Sequence, residues 1–335
     1  MKLGIVGSGI IAKEFLSIAH HLKNTMILSL CCTKRSEDEA RVLAKEYLIR
    51  QIFTDYEEFL RSEADTVYLG LPNHLHFSYA YRALMAGKNV IVEKPFTPAI
   101  EQALVLSRTA REKHLFLFEA VTTLYQPDYR SVKKLLPALG SIRLVQCSYS
   151  QYSRRYDRFK NGEVLPAFDP ACAGGALMDI NIYNVHYTAG LFGMPESVHY
   201  FANIERGIDT SGVLLLDYGN FLCSLTGAKD CSAPNSCIIQ GDKGYLIQNS
   251  PANICKGVRM VLNDGSEETV LDHSYSHRMI SEFLEFETMI LSGDLETCYR
   301  YLDHSLCVCR IQTEARRMAG IVFPAEAEQA SDFGK

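Results

Sequence analysis

The chain reads as an α/β protein in two parts, a parallel-sheet domain followed by an α+β domain with a mostly antiparallel sheet. Three observations lead there. A length of 335 residues leaves room for about two domains that each bury a core. Up to about residue 120, short apolar runs alternate with helical stretches, the pattern of a parallel sheet flanked by helices. Past Glu119, strand-like runs follow one another across turn signals with few helices between them.

In the first part the apolar runs are Leu3–Val6, Met26–Cys31, Thr66–Leu69, Asn89–Val92 and Leu115–Phe118. They lack polar alternation, as strands buried on both faces do. Helical stretches are expected at Glu37–Glu46, Asp55–Leu60, His76–Ala86 and Ile100–Glu112, with Gly87-Lys88 closing the third of them. The first run opens directly into Gly7-Ser8-Gly9-Ile10-Ile11-Ala12, and a helical pattern follows. Gly7 permits a tight turn, Gly9 lets the backbone approach a pyrophosphate, and small Ala12 lets the helix sit close to the strand. Free N–H groups at the helix start then face the anion. In this strand–turn–helix setting the glycines mark a dinucleotide-binding turn, so residues 1–120 are assigned as a Rossmann domain.

Residues 121–335 form the second domain. Pro127–Leu136 is expected to be helical and Ile142–Tyr152 a long strand. Further strands are expected at Ser197–Ile204, Gly212–Tyr218, Phe221–Thr226, Ser236–Gln240, Tyr245–Gln248 and Val258–Leu262. Tyr218-Gly219-Asn220, Gly241-Asp242-Lys243-Gly244 and Asn263-Asp264-Gly265 supply turns between them. The tail returns to helix at Met279–Leu291 and Tyr301–Met318, helices that can pack back on the first domain.

Composition narrows the function. The chain is 47% hydrophobic and 22% charged, with 34 basic against 39 acidic residues and a net charge of −5, which fits a globular protein and not a nucleic-acid binder. No run of 18 apolar residues suggests a membrane helix. Met1-Lys2 leads straight into the first strand, so no signal peptide and a cytoplasmic location are expected. The eleven cysteines are odd in number and contain no C-x-x-C pair; they read as small hydrophobes in a reducing compartment, not as a disulfide framework or a metal site.

Four separated motifs point one way. After the glycine turn comes Leu71-Pro72-Asn73-His74-Leu75-His76, directly behind a strand. Ala86-Gly87-Lys88-Asn89-Val90-Ile91-Val92-Glu93-Lys94-Pro95 is next, and then Ala173-Gly174-Gly175-Ala176-Leu177-Met178-Asp179-Ile180-Asn181-Ile182-Tyr183. Together they resemble the glucose–fructose oxidoreductase/inositol dehydrogenase (Gfo/Idh/MocA) family over residues 1 to about 320. The likeness is strongest to its dihydrodiol dehydrogenase and xylose 1-dehydrogenase branch. The resemblance implies an open sheet in the second domain and an active site at the domain junction. It also implies hydride transfer between a nicotinamide cofactor and a sugar, polyol or cyclic diol, and a homodimer or homotetramer formed through the open sheet.

Lys94 ends a strand at the carboxyl edge, where open α/β sheets bind ligands, and Pro95 rigidifies its backbone. By resemblance it is the catalytic-site lysine, polarising a substrate oxygen or tuning a phenol. Asp179, Tyr183 and His186 stand at i, i+4 and i+7 on a helix and so share a face. The family pattern makes Asp179 the group that holds substrate hydroxyls and Tyr183 the proton donor or acceptor. A phenol with an ordinary pKa of about 10 needs such tuning to act near neutrality. For His186, substrate contact and helix packing are both open. Asn73 and His76 are expected beside the cofactor, His76 as support with contact, within a binding set of Gly7, Ser8, Gly9, Ile10, Ile11, Leu71, Pro72, Glu93 and Lys94.

NADP(H) is favoured over NAD(H), because the second strand ends in Cys32-Thr33-Lys34-Arg35-Ser36 with no acid before Glu37. Arginine can grip a 2′-phosphate with paired hydrogen bonds; the alternative is that Lys34 and Arg35 decorate an exposed turn. Arg154, with Arg155 and Tyr156, either contacts substrate or belongs to the surface. Two positions depart from the family pattern: Ala173 replaces a glycine, and Asn181 adds a side chain that is expected to reshape the pocket. The expected activity is an NADP-dependent dehydrogenase. A nicotinamide-binding sensor and a glycosidase-like enzyme using bound NAD are the rivals.

Overall fold

The computed structural model describes residues 1–271 and 275–327. The chain divides into two compact units, and they do not follow a single cut at residue 120. Met1–Thr97, Glu101–Ala120 and Met279–Ser305 form the first; Pro98–Ile100, Val121–Arg278 and the chain from Leu306 form the second.

The first unit holds a six-stranded parallel sheet: β1 (Lys2–Val6), β2 (Met26–Cys31), β3 (Gln51–Phe53), β4 (Thr66–Leu69), β5 (Asn89–Glu93) and β6 (Leu117–Ala120), in the order β3-β2-β1-β4-β5-β6. This is the doubly wound order, with its crevice at the carboxyl ends of β1 and β4. Helices α1 (Ile10–Ile18), α2 (Glu37–Glu46), α3 (Tyr56–Leu60), α4 (His76–Met85) and α5 (Ile100–Glu112) connect the strands. Asp55 caps α3 by accepting from the Glu58 N–H at 2.9 Å, and Gly87, at φ +78°, ends α4 as its sequence suggests. The strand β3 escapes the sequence reading because it is three residues long and only Ile52 and Phe53 are apolar.

In the second unit, α6 (Thr122–Tyr125) and α7 (Pro127–Leu135) precede β7 (Ile142–Ser150), and α8 (Arg154–Lys160) precedes a π-helical segment, Leu177–Asn181, that runs into α9 (Ile182–Phe192). The strands β8 (Ser197–Glu205), β9 (Ile208–Asp217), β10 (Leu222–Ala228), β11 (Ser236–Gly241), β12 (Gly244–Gln248), β13 (Val258–Leu262) and β14 (Glu267–Val270) complete an open sheet ordered β14-β13-β12-β11-β7-β10-β9-β8. Every neighbouring pair is antiparallel except β7 with β10. The earliest strand therefore lies inside the sheet, flanked by strands made later. Val145, Cys147, Leu214, Leu216, Cys223, Leu225, Cys237 and Ile239 are buried on one face, where α9 packs on β7 and β10. The other face exposes Leu144, Leu222, Leu215 and Phe201, with Leu144 directly opposite Leu222. All eleven cysteines are free thiols, most of them buried. No helix among the described residues is long and apolar enough to cross a membrane.

Chain-terminal helices α10 (Ile280–Ser292), α11 (Leu295–Met318) and α12 (Pro324–Ala327) follow. The helix α10 is part of the first unit through aromatic packing. Phe283 is fully buried, with its ring 4.5 Å from Phe15, 5.3 Å from Tyr68 and 5.6 Å from Phe286. Glu287 of the same helix accepts from the Asn24 N–H at 3.0 Å and the Thr25 hydroxyl at 2.5 Å. Phe283→Ala is expected to lower unfolding free energy by about 3–5 kcal/mol. A reduced urea midpoint at unchanged slope would report it; a loss under about 1 kcal/mol would count α10 out of this core.

Candidate active site

The nucleotide cavity lies in the first unit. Gly7 has φ +105°, and a Cβ there would meet the Gly70 carbonyl at 2.4 Å, so the turns after β1 and β4 touch backbone to backbone. Nothing lies within 4 Å of a Cβ on Gly9, which N-caps α1 without any side-chain cap. The helix's first N–H groups thus face open space beside a tight turn, an arrangement that suits a phosphate. A cavity of about 330 Å³ opens there. Its walls are Val6 to Gly9 at the end of β1, Cys31 to Thr33 and Ser36 at the end of β2, Thr54 and Tyr56 after β3, Gly70 to Pro72 after β4, and Glu39 and Tyr79 from helices. These groups fit a dinucleotide. Burial pushes the Cys31 thiol up to about 12, so it lines the cavity as a neutral group.

Of the residues expected to bind cofactor, Gly7, Ser8, Gly9, Thr33, Leu71 and Pro72 are in this wall; Ile10, Ile11, Lys34, Arg35, Asn73, His76, Glu93 and Lys94 are not. Lys34 and Arg35 are exposed on a single 3-10 turn, Lys34–Ser36. The hydroxyls of Thr33 and Ser36 lie 3.0 Å apart on that turn. Sequence reasoning missed Tyr56 and Tyr79, whose rings are 4.5 Å apart with the Arg82 guanidinium 4.7 Å from the Tyr56 ring. Two tyrosines in separate helices carry no local spacing signal.

Three buried groups build the turn that carries Lys94. Glu93, at the end of β5, accepts from the Tyr68 hydroxyl at 2.7 Å. The Lys94–Pro95 peptide is cis, and the Phe96 N–H that follows donates to Glu119 of β6 at 2.9 Å. His76 is wholly buried, with Nδ1 2.8 Å from the Pro95 carbonyl and Nε2 2.9 Å from the Leu71 carbonyl. Burial lowers its pKa, against the two backbone carbonyls, which act in the other direction, and the ring spans the two loops with a nitrogen facing each carbonyl. Lys94 itself is half-buried.

The second group of candidate residues lies in the second unit. Asp209 is 1% exposed, and its carboxylate accepts from the Leu177 N–H at 2.6 Å and the Tyr200 hydroxyl at 2.7 Å. It can reach the helix start only because Gly175, at φ +102°, has no Cβ; one there would meet Asp209 Oδ1 at 2.1 Å. The helix then begins with a π segment, a geometry that recurs at functional sites. This changes the shared face expected for Asp179, Tyr183 and His186, since the first of them sits in a wider turn. Asp179 keeps a third of its side chain exposed, Tyr183 is buried to 6% exposure, and His186 is wholly buried.

Asp179 is paired with a residue the sequence analysis did not single out. Lys229 Nζ donates to Asp179 Oδ2 at 2.7 Å. The Tyr183 ring lies 5.9 Å from that of Tyr149. Asn181 does not reshape a pocket. It is wholly buried, donates to the Leu225 carbonyl at 3.0 Å and accepts from Asn184 at 2.8 Å, fastening the helix to β10. Gly227 makes the room, since a Cβ there would come within 2.5 Å of Asn181 Cβ. Arg154 and Arg155 begin the short helix α8 and are exposed. Among the described residues, no cluster of three or more His, Cys, Asp or Glu could hold a metal ion.

Comparison with known proteins gives the family. Residues 1–121 match the Gfo/Idh/MocA model described as an oxidoreductase family with an NAD-binding Rossmann fold, and residues 129–247 match the Gfo/Idh/MocA C-terminal domain. The scyllo-inositol 2-dehydrogenase (NADP(+)) of Bacillus subtilis is 31% identical across 97% of this chain and 99% of its own. The chain belongs to the Gfo/Idh/MocA oxidoreductases. Human trans-1,2-dihydrobenzene-1,2-diol dehydrogenase is 26% identical across 97% of this chain and 99% of its own, in line with the branch read from the motifs. A 3-ketoreductase from Actinomadura kijaniata, in complex with TDP-benzene and NADP, superposes with a TM-score of 0.79 at 25% identity, covering 94% of this chain and 96% of that one.

The helix start gives a direct test. Gly175→Ala is expected to cost about 2–3 kcal/mol, because it combines a left-handed φ with displacement of Asp209. Gly162, at φ +95° with nothing within 4 Å of a Cβ, is the control for the backbone alone. Its alanine variant is expected to lose only about 1 kcal/mol in the same urea titration. Equal losses for the two variants would remove Asp209 from the explanation.

Proposed function

We propose that this oxidoreductase is an NADP-dependent dehydrogenase of polyols or cyclic diols. The observation that carries the cofactor choice is the turn after β2. Thr33 and Ser36 present hydroxyls on the cavity wall, with the exposed cations Lys34 and Arg35 between them. No acid ends the strand to take a ribose 2′-hydroxyl. Glu39 lines the same cavity, but Lys13 pairs with it at 2.5 Å and offsets its charge. The NADP(+) in the name of the scyllo-inositol dehydrogenase relative, and the polyol and diol in the two dehydrogenases' names, support the same reading.

The nicotinamide, when bound, takes or gives the hydride. Oxidation also removes a proton from the reacting hydroxyl, and Tyr183 is the group assigned to receive it. Lys94, on a turn held by Glu93, His76 and Glu119, is the group assigned to supply positive charge to the reacting oxygen. Asp179 accepts hydrogen bonds from neighbouring substrate hydroxyls, which suits neutral, polyhydroxylated molecules. Asn73, Arg154 and His186 are assigned no chemical step: His186 is wholly buried, and Arg154 is an exposed surface cation.

The exposed apolar face of the second sheet is assigned to a second copy of the chain, forming a homodimer or a homotetramer. Phe201, the most prominent group on it, is 66% exposed. Phe201→Asp is expected to shift the protein to a smaller species in light scattering coupled to gel filtration; an unchanged mass would exclude this face as the contact.

The chain lacks tryptophan, so nicotinamide emission can be followed without a tryptophan background. NADPH is expected to bind at least tenfold more tightly than NADH, and Arg35→Ala to erase most of the difference. NADP reduction is then measured with scyllo-inositol and with trans-1,2-dihydrobenzene-1,2-diol. Lys94→Met and Tyr183→Phe are each expected to lower kcat by about 10²–10⁴-fold. Binding of neither nucleotide would overturn the reading; equal binding of both would overturn the cofactor choice alone.

A further inference from the structure

Lys229 follows the last residue of β10, and the pairing of that strand with β7 and β9 stops at Ala228. Its side chain is therefore not part of the sheet's own packing pattern, yet the residue is only 3% exposed. An ammonium group is costly to bury alone, so its surroundings have to compensate it. Nζ donates to Asp179 Oδ2 at 2.7 Å and to the Ala167 carbonyl at 2.8 Å. It also stands 4.4 Å from the centre of the Phe168 ring, close enough for a cation–π contact. Phe168 is wholly buried and stacks on Phe159 at 5.1 Å, so the ring is a fixed platform. The backbone is fixed as well. The Lys229 N–H donates to Thr210 at 2.8 Å, and its carbonyl accepts from Ser153 at 2.9 Å.

Burial within the pair is uneven: the lysine side chain is 4% exposed and the aspartate 36%. Ion pairs of this kind add little to stability relative to apolar residues of the same shape, so stability alone gives poor reason to place a lysine here. What the arrangement provides is a carboxylate in a π turn, anchored by a buried ammonium and forming the more solvent-open part of the pair. We infer that Lys229 is the positioning residue for Asp179, holding its carboxylate in place for the hydroxyls of the substrate. This rests on the reading of Asp179 as the group that binds those hydroxyls.

The test uses the 335-residue chain with NADP and scyllo-inositol as the probe pair, and four variants: Lys229→Met, Lys229→Arg, Asp179→Asn and the Lys229→Met/Asp179→Asn double. Lys229→Met is expected to raise KM for the polyol at least tenfold while the NADPH Kd stays within twofold. Lys229→Arg is expected to recover most of that loss, and the double variant to be no worse than Asp179→Asn. A Lys229→Met KM within twofold of the unaltered protein, or losses that multiply in the double variant, would overturn the inference. A KM unmoved by Asp179→Asn would instead overturn the substrate role of Asp179. The pairing is judged without substrate by urea unfolding of the same set. A double variant more stable than Lys229→Met/wild-type Asp179 would support the anchor, and additive losses would overturn it.

Discussion

A buried carboxylate, Asp209, sets where the helix that carries Asp179 and Tyr183 begins. It takes the first free N–H of that helix at Leu177 and the Tyr200 hydroxyl, in space left by the missing Cβ of Gly175. Burial raises the pKa of Asp209, while the two hydrogen bonds and the nearby charge of Lys229 act in the other direction. Each further feature of this helix follows from that start. The π segment comes next, carrying Asp179 above Lys229, and then Tyr183 and the Asn181–Asn184 pair that ties the helix to the carbonyls of β10. Moving the helix start by one residue would move the whole set.

The nucleotide cavity depends on a comparable close approach. Gly7 lies so near Gly70 that the turns after β1 and β4 form one wall, leaving the start of α1 open. The Lys94 turn is built differently, from buried polar groups. His76, Glu93 and Glu119 come from three different elements and each meets the turn or the strand that leads into it. Such networks cost desolvation and return a defined geometry when their members are satisfied. A lysine in the midst of a flexible loop would lack this restraint.

Much of this was legible from short motifs. The glycine turn, the strand before it and the helix after it all lie within one continuous stretch, so their chemistry reads directly from spacing. Glu93-Lys94-Pro95 and Gly174-Gly175 ahead of Asp179 are equally local, and the roles of Lys94 and Asp179 there are what the family resemblance implies. His76 was expected to combine support with cofactor contact, and its ring proves to be held between two backbone carbonyls. Asn181 looked like an intrusion on the substrate side, yet its side chain turns the other way, into space that Gly227 leaves open 46 residues later. Lys229 carried no signal at all, since a single lysine after an apolar strand has the appearance of an ordinary strand end.

The sequence by itself determined the parallel-sheet first domain and the nucleotide turn, because each depends on neighbours close in the chain, while the residues on which chemistry is proposed came from the family resemblance. Only the tertiary structure decided which residues hold them. It placed β7 between β10 and β11, joined α10 to the first unit through Phe283, and brought Lys229 to Asp179 across 50 residues of chain. Those choices follow from burial, in which a charge or a ring finds its partner wherever the folded chain closes space around it, and local spacing does not encode that partner.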